Sequence, residues 1–275
     1  MEKIRAKKEF GQNFLVDVNV LSRIVACVAP GADDCILEVG PGRGALSRLL
    51  AASGAKFLAV EWDRDLLPVL NAEFAGFDNV EIGHGDILRV DIRKLLTARG
   101  GDRKWKVAAN LPYNISSQVL FRFLECSFLF ERLVLMLQKE VGDRLTAPPN
   151  CKDYGALTVL LRLHFDIRRE FIVRPGSFKP VPKVDSAVLT FTPLEAPRAE
   201  VGDEEFFRRL VKGAFNQRRK TLLNSLRSTG FDDGDGALSL ALSRSGIDGG
   251  RRGETLSLEE FALLSRELLA GKTLA

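Results

Sequence analysis

Asn110, Leu111, Pro112 and Tyr113 follow the strand-forming run Val107, Ala108, Ala109 and precede Ser116 and Ser117, which suit a helix start. A strand has no structural need to end in an amide, a proline and one of the two tyrosines of the chain. Together these residues suit chemistry on a planar amine. The side-chain oxygen of Asn110 and the carbonyl of Leu111 can each accept a hydrogen bond. Pro112 fixes its own φ and biases Leu111 toward extended backbone, which aims that carbonyl. Tyr113 offers a flat face to a base, a contact worth about 1–3 kcal/mol. Its ring can also face positive charge developing on nitrogen. The lone pair of an exocyclic adenine amine is delocalised into the ring, so two acceptors on its hydrogens both hold the nitrogen and favour its pyramidal form. The competing reading of Tyr113 is a core-capping residue. The carboxyl end of a parallel strand faces a ligand cleft, which favours the site.

A methyl acceptor needs a donor, and "LEVGPGRGALSRLL" supplies a candidate cradle. Gly40, Gly42 and Gly44 lie between a strand and a helix, where glycine permits a sharp turn and close approach of a ligand. Gly40, Gly42 and Ala45 also fit the nicotinamide-dinucleotide fingerprint, and Glu61 at the end of the next strand reaches ribose hydroxyls in either reading. Three features favour S-adenosylmethionine. Glu38 lies in the first strand, within reach of a cationic methionine end. Asp86, followed by Ile87, ends the third strand, placed to accept from an adenine amino group. Asn110–Tyr113 ends the fourth, and a dehydrogenase has no use for it. In-line displacement at a sulfonium methyl relies on positioning and charge complementarity, with no metal and no covalent intermediate. It needs no general base, because the methylated amine loses its proton readily to solvent. His84 and His164 therefore read as structural.

The elements that position these groups follow from periodicity. Strand candidates are 35–40, 56–62, 80–86, 106–111 and 132–138, with helical spacing at 44–53, 63–74 and 116–127 between them. The alternation predicts an α/β fold with right-handed crossovers and a mostly parallel sheet covered on both faces. Runs 161–173 and 185–194 read as an antiparallel pair at one sheet edge. Prolines and acidic residues over 192–205 mark a boundary. The predicted division is a catalytic domain over 1–195 and a small all-helical domain over 196–275.

With 45% hydrophobic and 28% charged residues, the 275-residue chain has an ordinary globular composition. No stretch reaches the roughly 18 apolar residues of a membrane span, and the N-terminus does not read as a secretory signal. Four cysteines without a CxxC pair argue against a metal site or a disulfide scaffold and fit a reducing cytoplasm. Charge is segregated. Residues 206–230 carry Arg208, Arg209, Lys212, Arg218, Arg219, Lys220 and Arg227 and no acidic residue, and Lys3, Arg5, Lys7 and Lys8 crowd the N-terminus. That pattern suits a polyanion, with a solvated helix face as the alternative.

The segments "GQNFLVD" (11–17), "LEVGPGRGALS" (37–47), "EWDRDL" (61–66), "GDIL" (85–88), "NLPYNIS" (110–116), "FKPVPKVDSAV" (178–188) and "FNQRRKTLLNSL" (215–226) occur in this order. In that respect the chain resembles the ribosomal small-subunit adenine dimethyltransferases, of the rRNA adenine N6-methyltransferase family, over nearly its whole length. The resemblance implies a Rossmann-like methyltransferase domain followed by a helical domain. It implies dimethylation at N6 of two adjacent adenosines in a hairpin near the 3′ end of 16S rRNA, in the 30S subunit or its precursor. It further implies cofactor contacts at Asn13, Leu15, Gly40, Glu61, Asp86 and Asn110, with Gln12 in the same folded-over N-terminal motif and Gly42 in the turn. Phe178 would sandwich the target base opposite Tyr113, the alternative being a core anchor for its loop. Lys179 and Lys183 could hold phosphates in that stiff, proline-rich loop. The nearest competing readings are an Erm-type 23S rRNA methyltransferase and a non-catalytic ribosome-assembly factor. A monomer is expected.

Overall fold

The computed structural model describes residues 6–7, 11–231 and 236–273. Two compact units emerge, Met1–Gly142 with Asp166–Pro193, and Asp143–Phe165 with Leu194–Ala275.

The first unit begins with β1 (Phe14–Leu15) and α1 (Val18–Val28). Strands β2 (Cys35–Val39), β3 (Lys56–Glu61), β4 (Val80–His84), β5 (Trp105–Asn110) and β6 (Phe130–Gln138) then alternate with α2 (Ala45–Ala51), α3 (Leu67–Phe74), α4 (Ile92–Gly100) and α5 (Ser116–Glu125). The chain leaves through α6 (Lys139–Thr146) and α7 (Ala156–His164) and returns as β7 (Phe165–Val173), β8 (Phe178–Lys179) and β9 (Ser186–Pro193). Among the described residues, seven strands form one sheet in the order β4-β3-β2-β5-β6-β9-β7, and β1 pairs with β8 in a second. β2, β3, β4, β5 and β6 are joined by parallel pairings, and β9 runs antiparallel to β6. The predicted strands 161–173 and 185–194 are therefore neighbours at the edge, as expected, but the first begins only at Phe165. Residues 156–164 keep helical spacing, with Thr158–Leu161 and Leu163 buried, before alternation sets in.

Apart from Glu38, Lys106 and Asn110, β2 and β5 are apolar, and they are buried because helices cover both sheet faces. Leu21, Ile24 and Val28 of α1 pack on Ile36, Phe57, Ala108 and Val134. Asp17 caps α1 by accepting from the amides of Asn19 at 3.0 Å and Val20 at 3.3 Å. Ser177 Oγ also donates to Asp17, at 2.9 Å, which ties the N-terminal segment to the 174–179 loop.

The second unit contains α7 with α8 (Glu204–Phe215), α9 (Leu222–Arg227), α10 (Ala237–Arg244) and α11 (Leu258–Thr273). Phe215 joins Tyr154 at 5.9 Å and Phe261 at 5.8 Å between ring centroids. The expected boundary falls where the second break occurs, after Pro193. The division into 1–195 and 196–275 needs one correction, since Asp143–Phe165 cluster with the later helices. Residues 216–221 form a turn, and Thr221 caps α9 by accepting from the Asn224 amide.

Gly40 and Gly42 adopt left-handed φ of +67° and +60°. A Cβ on Gly42 would lie 3.0 Å from the Phe14 ring, whereas one on Gly40 meets nothing within 4 Å. Gly40→Ala should cost about 1–2 kcal/mol for backbone strain alone. Gly42→Ala should cost measurably more in thermal unfolding, because Phe14 must also move. Equal losses would show that the Phe14 contact carries nothing.

Candidate functional site

Parallel register brings four strand ends side by side. Val39 pairs with Val60 and Ala109, and Glu61 with His84. The order reverses around β2 and β5, the crevice where open α/β sheets bind ligands. A cavity of about 260 Å³ opens there, lined by Gln12, Asn13, Gly40, Gly42, Glu61, Asp86, Ile87, Asn110, Leu111, Pro112 and Tyr113 among others. These predicted residues are thus brought together. Leu15 lies beside them, in a smaller cavity of about 50 Å³ that also touches Glu38, Gly40 and Asn110.

The orientation of Asn110 is set from behind. Its Nδ2 donates to the Asn13 carbonyl at 3.0 Å, so its oxygen is the end left for a ligand. The Leu111 amide donates to the Met136 carbonyl at 3.2 Å, and no donor among the described residues reaches the Leu111 carbonyl. Both acceptors expected from the sequence are therefore available. Tyr113 Oη shares a 2.8 Å hydrogen bond with Ser186 Oγ, and Ser186 is fully buried. The ring is anchored through its hydroxyl. Phe178 corrects the expectation. It is 1% exposed, pairs with Leu15 across β1 and β8, and packs in the core with Leu21 and Ile24. It anchors its loop and does not line the cavity.

Glu61 accepts from the Gly42 amide at 3.1 Å and the Asp63 amide at 2.8 Å. Burial raises its pKa, and these amides oppose the rise. Asp86 accepts from the Leu88 amide at 3.0 Å, and Arg89 Nε lies 3.4 Å from its other oxygen. Sequence reasoning gave Asp63 no role, yet it holds the N-terminal segment. It accepts from Lys7 Nζ at 2.6 Å and from Gln12 Nε2 at 2.9 Å. Lys7 therefore corrects a second expectation. It pairs with Asp63 and Asp65, which push its pKa up to about 12, instead of standing free for phosphate. Lys8 lies outside the described residues.

Trp62 and Ser186 were also missed. Trp62 lines the cavity and stacks on His84 at 5.7 Å. Its neighbour Glu61 was a signal for it, whereas nothing local marks Ser186 as the partner of Tyr113. Of the predicted basic residues, Lys179, Lys183, Arg209, Lys212, Arg218, Arg219 and Lys220 are exposed and Arg208 is half-buried. Arg208 lies 3.5 Å from Glu205, and the Arg209 guanidinium lies 5.8 Å from the Phe231 ring. Arg218 donates to the Lys152 carbonyl and sits 3.7 Å from Glu254. None of these lines the cavity. Among the described residues no cluster of His, Cys, Asp and Glu could hold a metal, and no helix is long and apolar enough to cross a membrane.

The strand order and its polar strand ends define a Rossmann-like methyltransferase. A model of the family "Ribosomal RNA adenine dimethylase" matches residues 3–269. A protein of Geobacter metallireducens described as "Ribosomal RNA small subunit methyltransferase A" is 63% identical, covering 98% of each chain. Its namesake in Geobacter sulfurreducens is 58% identical, over 97% of this chain and 96% of its own. Among solved structures, a dimethyladenosine transferase from Plasmodium falciparum superimposes with a TM-score of 0.78 at 23% identity, covering 94% of this chain and 98% of that one. The 23S rRNA methyltransferase ErmE gives 0.69 at 26% identity, covering 93% and 99%. The chain belongs to the ribosomal RNA adenine dimethylase family. It is an rRNA adenine methyltransferase, and S-adenosylmethionine is its methyl donor. The cavity fits that donor. Its glycine turn leaves the backbone open at Gly40, and the carboxylates of Glu61, Asp63 and Asp86 line it together with Asn110.

Glu38 is 3% exposed, and Ser47 Oγ donates to it at 2.6 Å. Burial pushes its carboxyl up to about 8, against the Ser47 hydrogen bond and with a smaller contribution from the charge of Glu61. The folded protein thus keeps a proton that the unfolded chain loses above about pH 4.5. Its contribution to stability should fall as pH rises from about 4.5 to 8, by at most about 1.4 kcal/mol per pH unit for one proton. Urea unfolding of the free protein should show this decline relative to Glu38→Gln. A difference that stays constant with pH would contradict it.

Proposed function

We propose that the protein dimethylates N6 of two adjacent adenosines in a hairpin near the 3′ end of 16S rRNA, within the 30S subunit or its precursor. The orientation of Asn110 carries this reading. With its Nδ2 committed to Asn13, the Asn110 oxygen and the Leu111 carbonyl form a pair of acceptors for the two hydrogens of an adenine amine. Tyr113 stacks on the base from a ring fixed by Ser186. The bound donor supplies an electrophilic methyl group. Glu61 binds its ribose, Asp86 its adenine, and Gln12 and Asn13 hold the N-terminal segment over the site. The basic residues of the helical unit, above all the exposed Arg219 and Lys220, bind rRNA phosphates, as do Lys179 and Lys183. The protein works in the cytoplasm as a monomer.

An Erm-type activity on 23S rRNA is the second reading, favoured only by the similarity to ErmE. The small-subunit name of relatives up to 63% identical supports the first. Labelled-methyl transfer to 30S particles lacking the modification, followed by mapping, separates them. Label should appear on two adjacent adenosines of 16S rRNA, and label on 23S rRNA alone would reverse the choice. In the same assay Asn110→Ala should nearly abolish transfer. Tyr113→Ala should lose roughly 5- to 150-fold, the equivalent of about 1–3 kcal/mol of stacking. Tyr113→Phe keeps the ring and loses only the Ser186 anchor, so its loss should stay under about tenfold. A phenylalanine variant as inactive as alanine would refute the stacking account.

A further inference from the structure

Glu38 is a buried carboxyl that pairs with no cationic side chain among the described residues, and the cavity of about 50 Å³ that it lines shares Gly40, Gly42 and Asn110 with the larger one of about 260 Å³. Its hydrogen-bond partner is the Ser47 hydroxyl of α2. The small cavity it lines is otherwise mostly apolar, with Leu21 and Ile24 from α1 and Val134 and Met136 from β6. β5 contributes the neutral Asn110. β3 contributes the nearby carboxylate of Glu61, already bound by two backbone amides. Arg43 of the glycine turn also borders the cavity, but it is exposed and its guanidinium lies 4.7 Å from the Phe14 ring centroid. An ionised carboxylate is costly in such surroundings unless a cation arrives.

We propose that Glu38 distinguishes the methyl donor from its product: it is protonated in the free protein and ionises when the donor's cationic methionine end binds, releasing its proton to solvent. The inference rests on the cofactor reading above. The donor carries a sulfonium that the product, S-adenosylhomocysteine, has lost, and both carry the same α-amine. The product therefore gives Glu38 less reason to ionise. After transfer, the carboxylate would take a proton back and the product's hold would weaken. Glu38 thereby acts as a positioning and specificity residue and takes no part in the bond exchange.

Titration calorimetry in phosphate and in Tris, whose ionisation enthalpies differ, counts the protons released. With the carboxyl near 8, S-adenosylmethionine should release about 0.9 proton from Glu38 at pH 7. Its affinity should rise about tenfold from pH 6 to 7 and more slowly toward pH 8, where the donor's α-amine begins to lose its own proton. S-adenosylhomocysteine should release less than half as much at pH 7. Glu38→Gln should abolish the difference between the two ligands. Equal release by donor and product, or unchanged release in Glu38→Gln, overturns the proposal. Should that variant not fold, the wild-type series decides, because donor affinity that is flat between pH 6 and 8 overturns it equally. Failure of the donor to bind at all would instead refute the cofactor reading.

Discussion

The hydrogen bond from Asn110 Nδ2 to the Asn13 carbonyl decides which end of an amide faces the cavity, and the site depends on that choice. Such a bond is worth only about 0.5–1.5 kcal/mol net. Its weight lies in orientation, since the flipped amide would set oxygen against oxygen. The bond in turn requires the N-terminal segment to lie across the end of β5. Lys7 and Gln12 bind Asp63, Phe14 and Leu15 pair with Lys179 and Phe178, and Asp17 takes the Ser177 hydroxyl. Each of these contacts joins residues of the first unit that lie far apart in the chain.

The same crevice concentrates buried carboxyl groups. Glu38 and Glu61 are both buried there, and burial raises both pKa values. A core chosen for stability alone would avoid two such carboxyls. Their placement makes sense for a ligand that brings its own positive charge. Glu61 is held ionisable by backbone amides, while Glu38 has only a hydroxyl, and this contrast gives the two residues different tasks.

The strand ends were legible in the sequence because chain-local signals mark them. Glycine at positive φ, a carboxylate after an apolar run and an Asn-Leu-Pro-Tyr turn each announce a local conformation, and parallel register aligns them without further information. What was missed depends on contacts far apart in the chain. Phe178 looks like a base-stacking aromatic until its pairing with Leu15 buries it. Lys7 looks like part of a basic tail until Asp63, 56 residues away, claims it. Residues 143–165 read as part of the catalytic domain because they fall between its strands, and only tertiary packing assigns them to the helical unit. In 161–173 the helix ends where the strand begins, so the helical repeat and the strand alternation blur at His164 and Phe165.

The most direct measurement is a crystal structure with S-adenosylhomocysteine and a target adenosine in the cavity. The account places the Asn110 oxygen and the Leu111 carbonyl both at about 2.7–3.2 Å from N6, with the Asn110 nitrogen still bound to the Asn13 carbonyl. An adenosine whose N6 meets the Asn110 nitrogen, or sits away from both acceptors, would contradict it.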